Sequence, residues 1–301
     1  MGSITTARPN TYKTKKGDSH DNSPLAGVSS SFVSYFNIFS HLFQTRTRNC
    51  ADQGALYLKG LVQAEKKNME RMAEMVPDSN EQALQHFVSN SPWDANAVMD
   101  QVAMRSNEAL QDGEDRCLLI DETACLKKGT KSVGVSRQWA GTIGKVDNCQ
   151  VGVFAVLGHG IYATPIDCRL YLPENWVKDP KRCEAAGVQA HRVKLLRKHD
   201  LALEMVEGAR QKGISFSWVG CDGFYGEDPA FLRDLDEMGE VFVADVHKDQ
   251  MVWLEDPEPR VPSRKSTRGR APEKLEARIS PVRVDLLAAQ ASVSRWQRIT
   301  V

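Results

Sequence analysis

No cysteine stands in a Cys-x-x-Cys pair, and the seven cysteines (50, 117, 125, 149, 168, 183 and 221) are odd in number and sit mostly within apolar runs. That pattern excludes a disulfide framework and a thiolate zinc site, and it reads as reduced core thiols in a cytoplasmic protein. Long apolar runs are missing too. The early one, Phe32 to Phe43, is too short to span a bilayer and lacks a small-residue cleavage pattern, so neither a membrane segment nor secretion is predicted. Neither sign of charge prevails, because 39 Lys plus Arg balance 39 Asp plus Glu. A chain that is basic throughout is thereby excluded. Yet residues 1–50 carry six basic against two acidic side chains and residues 259–301 carry ten against three, which leaves an acidic middle. Basic flanks around an acidic centre suit a protein that holds a polyanion and gathers carboxylates for a metal; segregated solvated charge is the alternative.

What is present is an ordinary globular composition: 301 residues with 41% hydrophobic content provide for one or two domains. Residues 1–30, rich in Ser, Thr, Asn, Gly and Pro, read as a disordered arm. Residues 31–111 form a helical module. Phe32, Tyr35, Phe36, Phe39 and Phe43, then Leu58, Leu61, Val62, Met69 and Met72, recur at three- and four-residue spacing. Lys59, Lys66, Lys67 and Arg71 fall on the opposite face, where Lys66 and Lys67 are candidates for phosphate contact or simply solvated charge. Trp93 is placed between two helices, with Asp94 as a helix cap.

At residue 112 the period changes to that of strands, and residues 112–254 read as a mixed sheet. Arg116–Asp121, Ser132–Ala140, Val151–Leu157 and Ile161–Leu172 suggest antiparallel strands joined by glycine-bearing turns. A helix ending at Gly213, a strand from Phe216 to Asp222, a helix from Pro229 and a strand from Val241 form a unit whose strands should run parallel. Residues 255–301 are basic and rich in Pro and Arg. There Arg264, Lys265, Arg268 and Arg270 make the most plausible nucleic-acid contact, with a flexible loop as the alternative. The fold class is therefore α+β.

Two stretches carry chemistry. Cys117-Leu118-Leu119-Ile120-Asp121 and Ser217-Trp218-Val219-Gly220-Cys221-Asp222 are apolar strand-type runs that each end on an aspartate, which presents a carboxylate at the sheet edge. If the two strands are neighbours, the carboxylates converge on a hard divalent ion. Ordinary turn-forming aspartates are the alternative. Glu122 should point away from Asp121 across the strand, to the surface or to a supporting place. Tyr225 is read as ordering the loop after Asp222, His159 as structural, and His247-Lys248-Asp249 as a loop end, with a place near the metal site as the alternative.

The wording of several segments closely resembles bacterial insertion-sequence transposases of the DDE superfamily. They are Leu119-Ile120-Asp121-Glu122-Thr123, Lys127-Lys128-Gly129-Thr130-Lys131-Ser132-Val133-Gly134-Val135, Leu170-Tyr171-Leu172-Pro173-Glu174-Asn175-Trp176 and Asp222-Gly223-Phe224-Tyr225-Gly226. Gln85-His86-Phe87-Val88-Ser89-Asn90-Ser91-Pro92-Trp93-Asp94 belongs with them. The resemblance implies a ribonuclease-H-like catalytic core with a β-rich insertion. It also implies an Asp-Asp-Glu triad holding two Mg2+ ions, with Mn2+ a plausible substitute. DNA would be the partner, as terminal repeats and target, with a homodimer possible and no small-molecule substrate. Asp121 and Asp222 match the first two acids. The third belongs to a motif running Tyr, two residues, Arg, three residues, Glu, six residues, Lys; no tyrosine follows Tyr225, so no third acid is found. Glu273 and Glu276 lie in the wrong context. The resemblance thus predicts a chain shortened inside the insertion, either a transposase fragment that cuts DNA or a catalytically silent DNA-binding or inhibitory fragment.

Overall fold

The computed structural model describes residues 24–110, 113, 115–264 and 272–291, and it divides into two compact units at Val98/Met99. The first unit holds helices α1 (Pro24–Phe39), α2 (Ala51–Gln63), α3 (Met69–Met75) and α4 (Glu81–Ser89). Helix α1 thus starts seven residues before Ser31, inside the stretch read as disordered, with Pro24 at its first position, where the missing N–H costs nothing. Asn68 and Asn80 cap α3 and α4, their side chains accepting from the Arg71 and Ala83 amides. The aromatic stripe closes into one cluster: the Phe43, Phe87 and Trp93 rings lie 5.4–5.5 Å apart, and the Trp93 indole donates to the Phe87 carbonyl at 2.9 Å. Asp94 accepts from the Asn96 amide, as its place before a helix implied.

Helix α5 (Ala95–Ala109) runs across the division. The division therefore falls inside a continuous helix, with Ala103 in the core of the second unit, while the change from helix to strand comes between Ala109 and Cys117. Strands β1 (Cys117–Leu126), β2 (Ser136–Ala140), β3 (Lys145–His159), β4 (Tyr162–Leu170), β5 (Trp218–Cys221) and β6 (Phe242–Ala244) make one sheet. Its order is β2-β3-β1-β5-β6, with β4 also paired to β3. The pairs of β3 with β1, β2 and β4 are antiparallel; those of β5 with β1 and β6 are parallel. The sheet is thus mixed, as the turn chemistry and the crossover connections required.

Short helices α6 (Glu174–Val177) and α7 (Pro180–Ala185) occupy the link after β4, where buried Trp176 donates its indole N–H to the Val135 carbonyl at 2.8 Å. The crossover helix α8 (Lys198–Gln211) then lays Leu201, Ala202, Met205, Val206 and Ala209 on Leu118, Ile120, Val153, Ala155 and Leu157 of the sheet. Each such aliphatic side chain contributes about 1.5–3 kcal/mol on burial. Gly213, at φ 70°, closes the helix in the left-handed conformation. Helix α9 (Gly223–Gly226) and helix α10 (Pro229–Glu237) add Tyr225, Phe231 and Leu235 to the same core.

Beyond β6 the sequence promised little regular structure, but Met251–Val252 (β7) pairs with Val282–Arg283 (β8), and α11 (Val284–Gln290) follows. Apolar residues spaced too sparsely for a periodic signal suffice for these short pieces. Not all the cysteines lie in the core: Cys125 and Cys168 are exposed, and alternation puts Cys125 on the face of β1 opposite buried Leu118 and Ile120. Among the described residues no helix is long and apolar enough to cross a membrane.

Candidate active site

The last register pair between β1 and β5 is Ile120 with Cys221, so Asp121 and Asp222 stand one step further, side by side at the carboxyl ends of neighbouring parallel strands. There the strands part. β1 continues to Leu126 against β3, whereas β5 stops because Asp222 turns to cap α9, its Oδ1 accepting from the Phe224 amide at 3.1 Å. The opening is a cavity of about 610 Å³ whose lining includes Asp121, Glu122, Trp139, Asp222, Phe224, Glu227 and His247. A crevice outside the carboxyl ends of strands is where sheets of this kind bind ligands.

Asp121 Oδ1 accepts from the Glu122 amide at 2.7 Å. Burial pushes its carboxyl up although its surface opens on the cavity, because the walls displace water around it. The Glu122 amide opposes that rise, and the Asp222 and Glu122 charges add to it. Neither Asp121 Oδ2 nor Asp222 Oδ2 has a hydrogen bond among the described residues. Two carboxylates that repel one another and keep free oxygens are a donor set suited to a hard divalent cation. Among the described residues, however, no three His, Cys, Asp or Glu side chains form a group able to hold a metal ion.

Alternation along β1 turns Glu122 to the helix side, where Lys198 meets it: Nζ lies 2.8 Å from Oε1, the side chains being 16% and 20% exposed. The same ammonium stands 4.9 Å from the Phe224 ring centre. Glu122 Oε2 and the Tyr225 hydroxyl are both buried without a partner in hydrogen-bond geometry. They are nevertheless close: burial first, then the Glu122 carboxylate, pushes the Tyr225 phenol up. The loop after Asp222 is fixed hard from below. A Cβ on Gly226 would sit 1.9 Å from the Asp245 carbonyl oxygen, so the residue there must be glycine. Asp228 caps α10 through the Ala230 amide at 2.8 Å and takes Arg197 Nη1 at 2.9 Å. His199 Nε2 lies 3.2 Å from the Phe224 carbonyl oxygen.

The structure thus brings Asp121 and Asp222 into one cavity and adds His247, whose Nε2 is 3.5 Å from Glu227 Oε2. His159 ends β3 opposite Tyr162, in the register region of the start of β1 and away from these acids. Glu276 forms a bridge with Arg260 and is absent from the cavity lining, as is Glu273. Of the basic candidates, Arg264 is in irregular backbone, and Lys265, Arg268 and Arg270 lie outside the described residues. Lys66 and Lys67 are in the link between α2 and α3, not on a helix face, and Lys67 bonds the Ala64 carbonyl. Ala64 is the C-cap of α2, where a carbonyl has no partner within the helix and accepts from a side chain instead.

Sequence reasoning missed Lys198 and Trp139. The first opens a helix in a charge-rich stretch that reads as solvated. The second lies in β2 beside Ala140, which packs with Cys149, Val151 and Ala124.

A family model described as DDE superfamily endonuclease matches residues 37–301. A protein described as a probable transposase for insertion sequence element IS701, from Microchaete diplosiphon, is 29% identical over 195 residues, covering 63% of this chain and 47% of that protein. The chain therefore spans about half the length of the curated relative it matches.

Proposed function

The chain belongs to the DDE superfamily of endonucleases, and from that premise we propose that it cuts and rejoins DNA as an insertion-sequence transposase, with Asp121 and Asp222 as its metal-holding acids. The observation that carries this reading is the convergence of the two carboxylates at neighbouring strand ends in one cavity. A divalent ion there, Mg2+ with Mn2+ as a substitute, would neutralise the charge of a phosphodiester and activate the attacking water or 3′-hydroxyl. The chain's own part is positional. The Glu122 and Phe224 amides each hold one carboxylate oxygen, leaving the other free. Lys198 neutralises Glu122, which leaves the aspartates as the principal negative charge of the strand ends. Phe224 and Trp139 line the same cavity. The DNA partners would be element ends and target, engaged by a homodimer.

One observation favours a second reading: among the described residues no third side chain completes a metal-holding group. On that reading the chain binds DNA without cutting it and competes with an intact transposase. Nicking of supercoiled plasmid in Mg2+, run beside a mobility-shift assay, separates the two. Nicking abolished in both Asp121→Asn and Asp222→Asn supports the enzyme. Binding without nicking supports the silent form, and neither activity would overturn both.

A further inference from the structure

One wall of the cavity has no part in the metal chemistry. Trp139 on β2 lines it together with Asp121 and Asp222, and it is 59% exposed. Its neighbours are buried or hydrogen-bonded. Ala140, the next residue, is fully buried, and Trp139 pairs with Val146 in the β2–β3 ladder. Gln138 before it donates to the Gly134 and Cys149 carbonyls at 3.2 and 3.0 Å. An aromatic face held open on a fixed strand loses little entropy when something covers it. The indole N–H groups of Trp93, Trp176 and Trp253 donate to backbone carbonyls, whereas those of Trp139 and Trp218 have no partner among the described residues, and of these two only Trp139 lines the cavity. Ala124, Val151 and Phe224 add apolar surface to the lining of this cavity of about 610 Å³. That volume suits a nucleotide-sized ligand. The connection entering β2 carries Lys127, Lys128 and Lys131, exposed and without ion pairs among the described residues.

We propose that Trp139 is a stacking platform for an unpaired nucleobase of the DNA strand whose phosphate lies at Asp121 and Asp222. This rests on the DNA-cutting reading and adds to it. The aspartates handle a phosphate but cannot distinguish paired from unpaired DNA. Both faces of a base within a duplex are already covered, so an open indole selects a base that is single-stranded or turned out of the helix.

The test uses the full chain in Mg2+ with fluorescein-labelled octathymidylate and a labelled blunt duplex, read by anisotropy. An oligonucleotide carrying 2-aminopurine reports stacking directly. Trp139→Ala should weaken octathymidylate binding by about 5- to 150-fold and abolish the quenching of 2-aminopurine, leaving duplex binding within about twofold. Trp139→Phe, which keeps a ring and serves as the folding control, should stay within about fivefold of wild type on the single strand. Trp253→Ala, at an exposed indole bonded elsewhere, should change nothing. Unchanged single-strand binding in Trp139→Ala would overturn the proposal, as would an equal loss on both probes. Duplex nicking without any single-strand binding would overturn this inference alone. Failure of the wild type on every DNA probe would overturn the DNA-cutting reading with it.

Discussion

Replacing Lys198 by Met removes the cation beneath the acidic cavity and leaves Glu122 without a partner on either oxygen. Breaking a fully buried ion pair from one side costs about 3–5 kcal/mol, because a charge stays behind without compensation. The two side chains here are 16% and 20% exposed, so solvent recovers part of that. We expect about 2–3 kcal/mol for Lys198→Met and about 1–2 kcal/mol for Glu122→Gln. The double variant removes both charges and should lie within about 1 kcal/mol of wild type, since a neutral pair of similar volume restores balance. The coupling energy of the cycle is then about 2 kcal/mol or more. Because the protein has two compact units, unfolding should be followed by urea-dependent hydrogen exchange of β1 and α8 peptides, which reports on the unit that holds the pair. Tyr225→Phe adds a control: with no hydrogen-bond geometry to Glu122, losing the hydroxyl should change stability by less than about 1 kcal/mol. If Lys198→Met costs under about 0.5 kcal/mol, or the single costs simply add, Glu122 is solvated and the ion pair has no role under the site.

Gly226→Ala should cost more than about 3 kcal/mol and disorder the Asp222 loop, because the new methyl meets a backbone carbonyl at 1.9 Å and backbone cannot yield as a side chain does. Circular dichroism and limited proteolysis at residues 223–228 check it; near-wild-type behaviour would show that the loop packs elsewhere. Acid should loosen the same region. Burial opposes ionisation of Asp200 and Asp228. The Arg197 hydrogen bonds to Asp200, and the Ala230 and Phe231 amides with the His199 and Arg197 charges at Asp228, nonetheless hold both carboxyls below the ordinary range. A folded value below the unfolded one, near 3.9, gives stability that is present above about pH 4 and lost as pH falls through the folded values. Protection of α8 and α10 amides should therefore fall below about pH 4, and less steeply in Asp228→Asn; equal slopes would count against the Asp228 contribution.

The aspartate pair was legible because two independent signals agreed. Apolar runs ended on Asp121 and Asp222, and an intervening helix forced the second strand to be parallel. Lys198 was not legible because nothing local distinguishes a lysine at a helix start from a solvated one; only the crossover lays α8 under β1. Trp139 alternates in its strand like any edge residue, and only the tertiary packing of Ala140, Cys149 and Val151 with Ala124 accompanies its place at the cavity. The change of period at residue 112 marks where α5 gives way to β1, whereas the division into compact units falls within α5, where an unbroken helical period carries no signal. The strand β8 and helix α11 were missed because two-residue pairings and a seven-residue helix carry no periodic signature.

The central claim is that Asp121 and Asp222 hold a divalent ion together. Binding of Mn2+ to the full chain, followed by electron paramagnetic resonance, tests it without any DNA. Wild type should bind the ion, and Asp121→Asn and Asp222→Asn should each weaken binding at least tenfold, about 1.4 kcal/mol, with the double variant no weaker than the product of the two. Mn2+ affinity that is unchanged in both single variants would contradict the account.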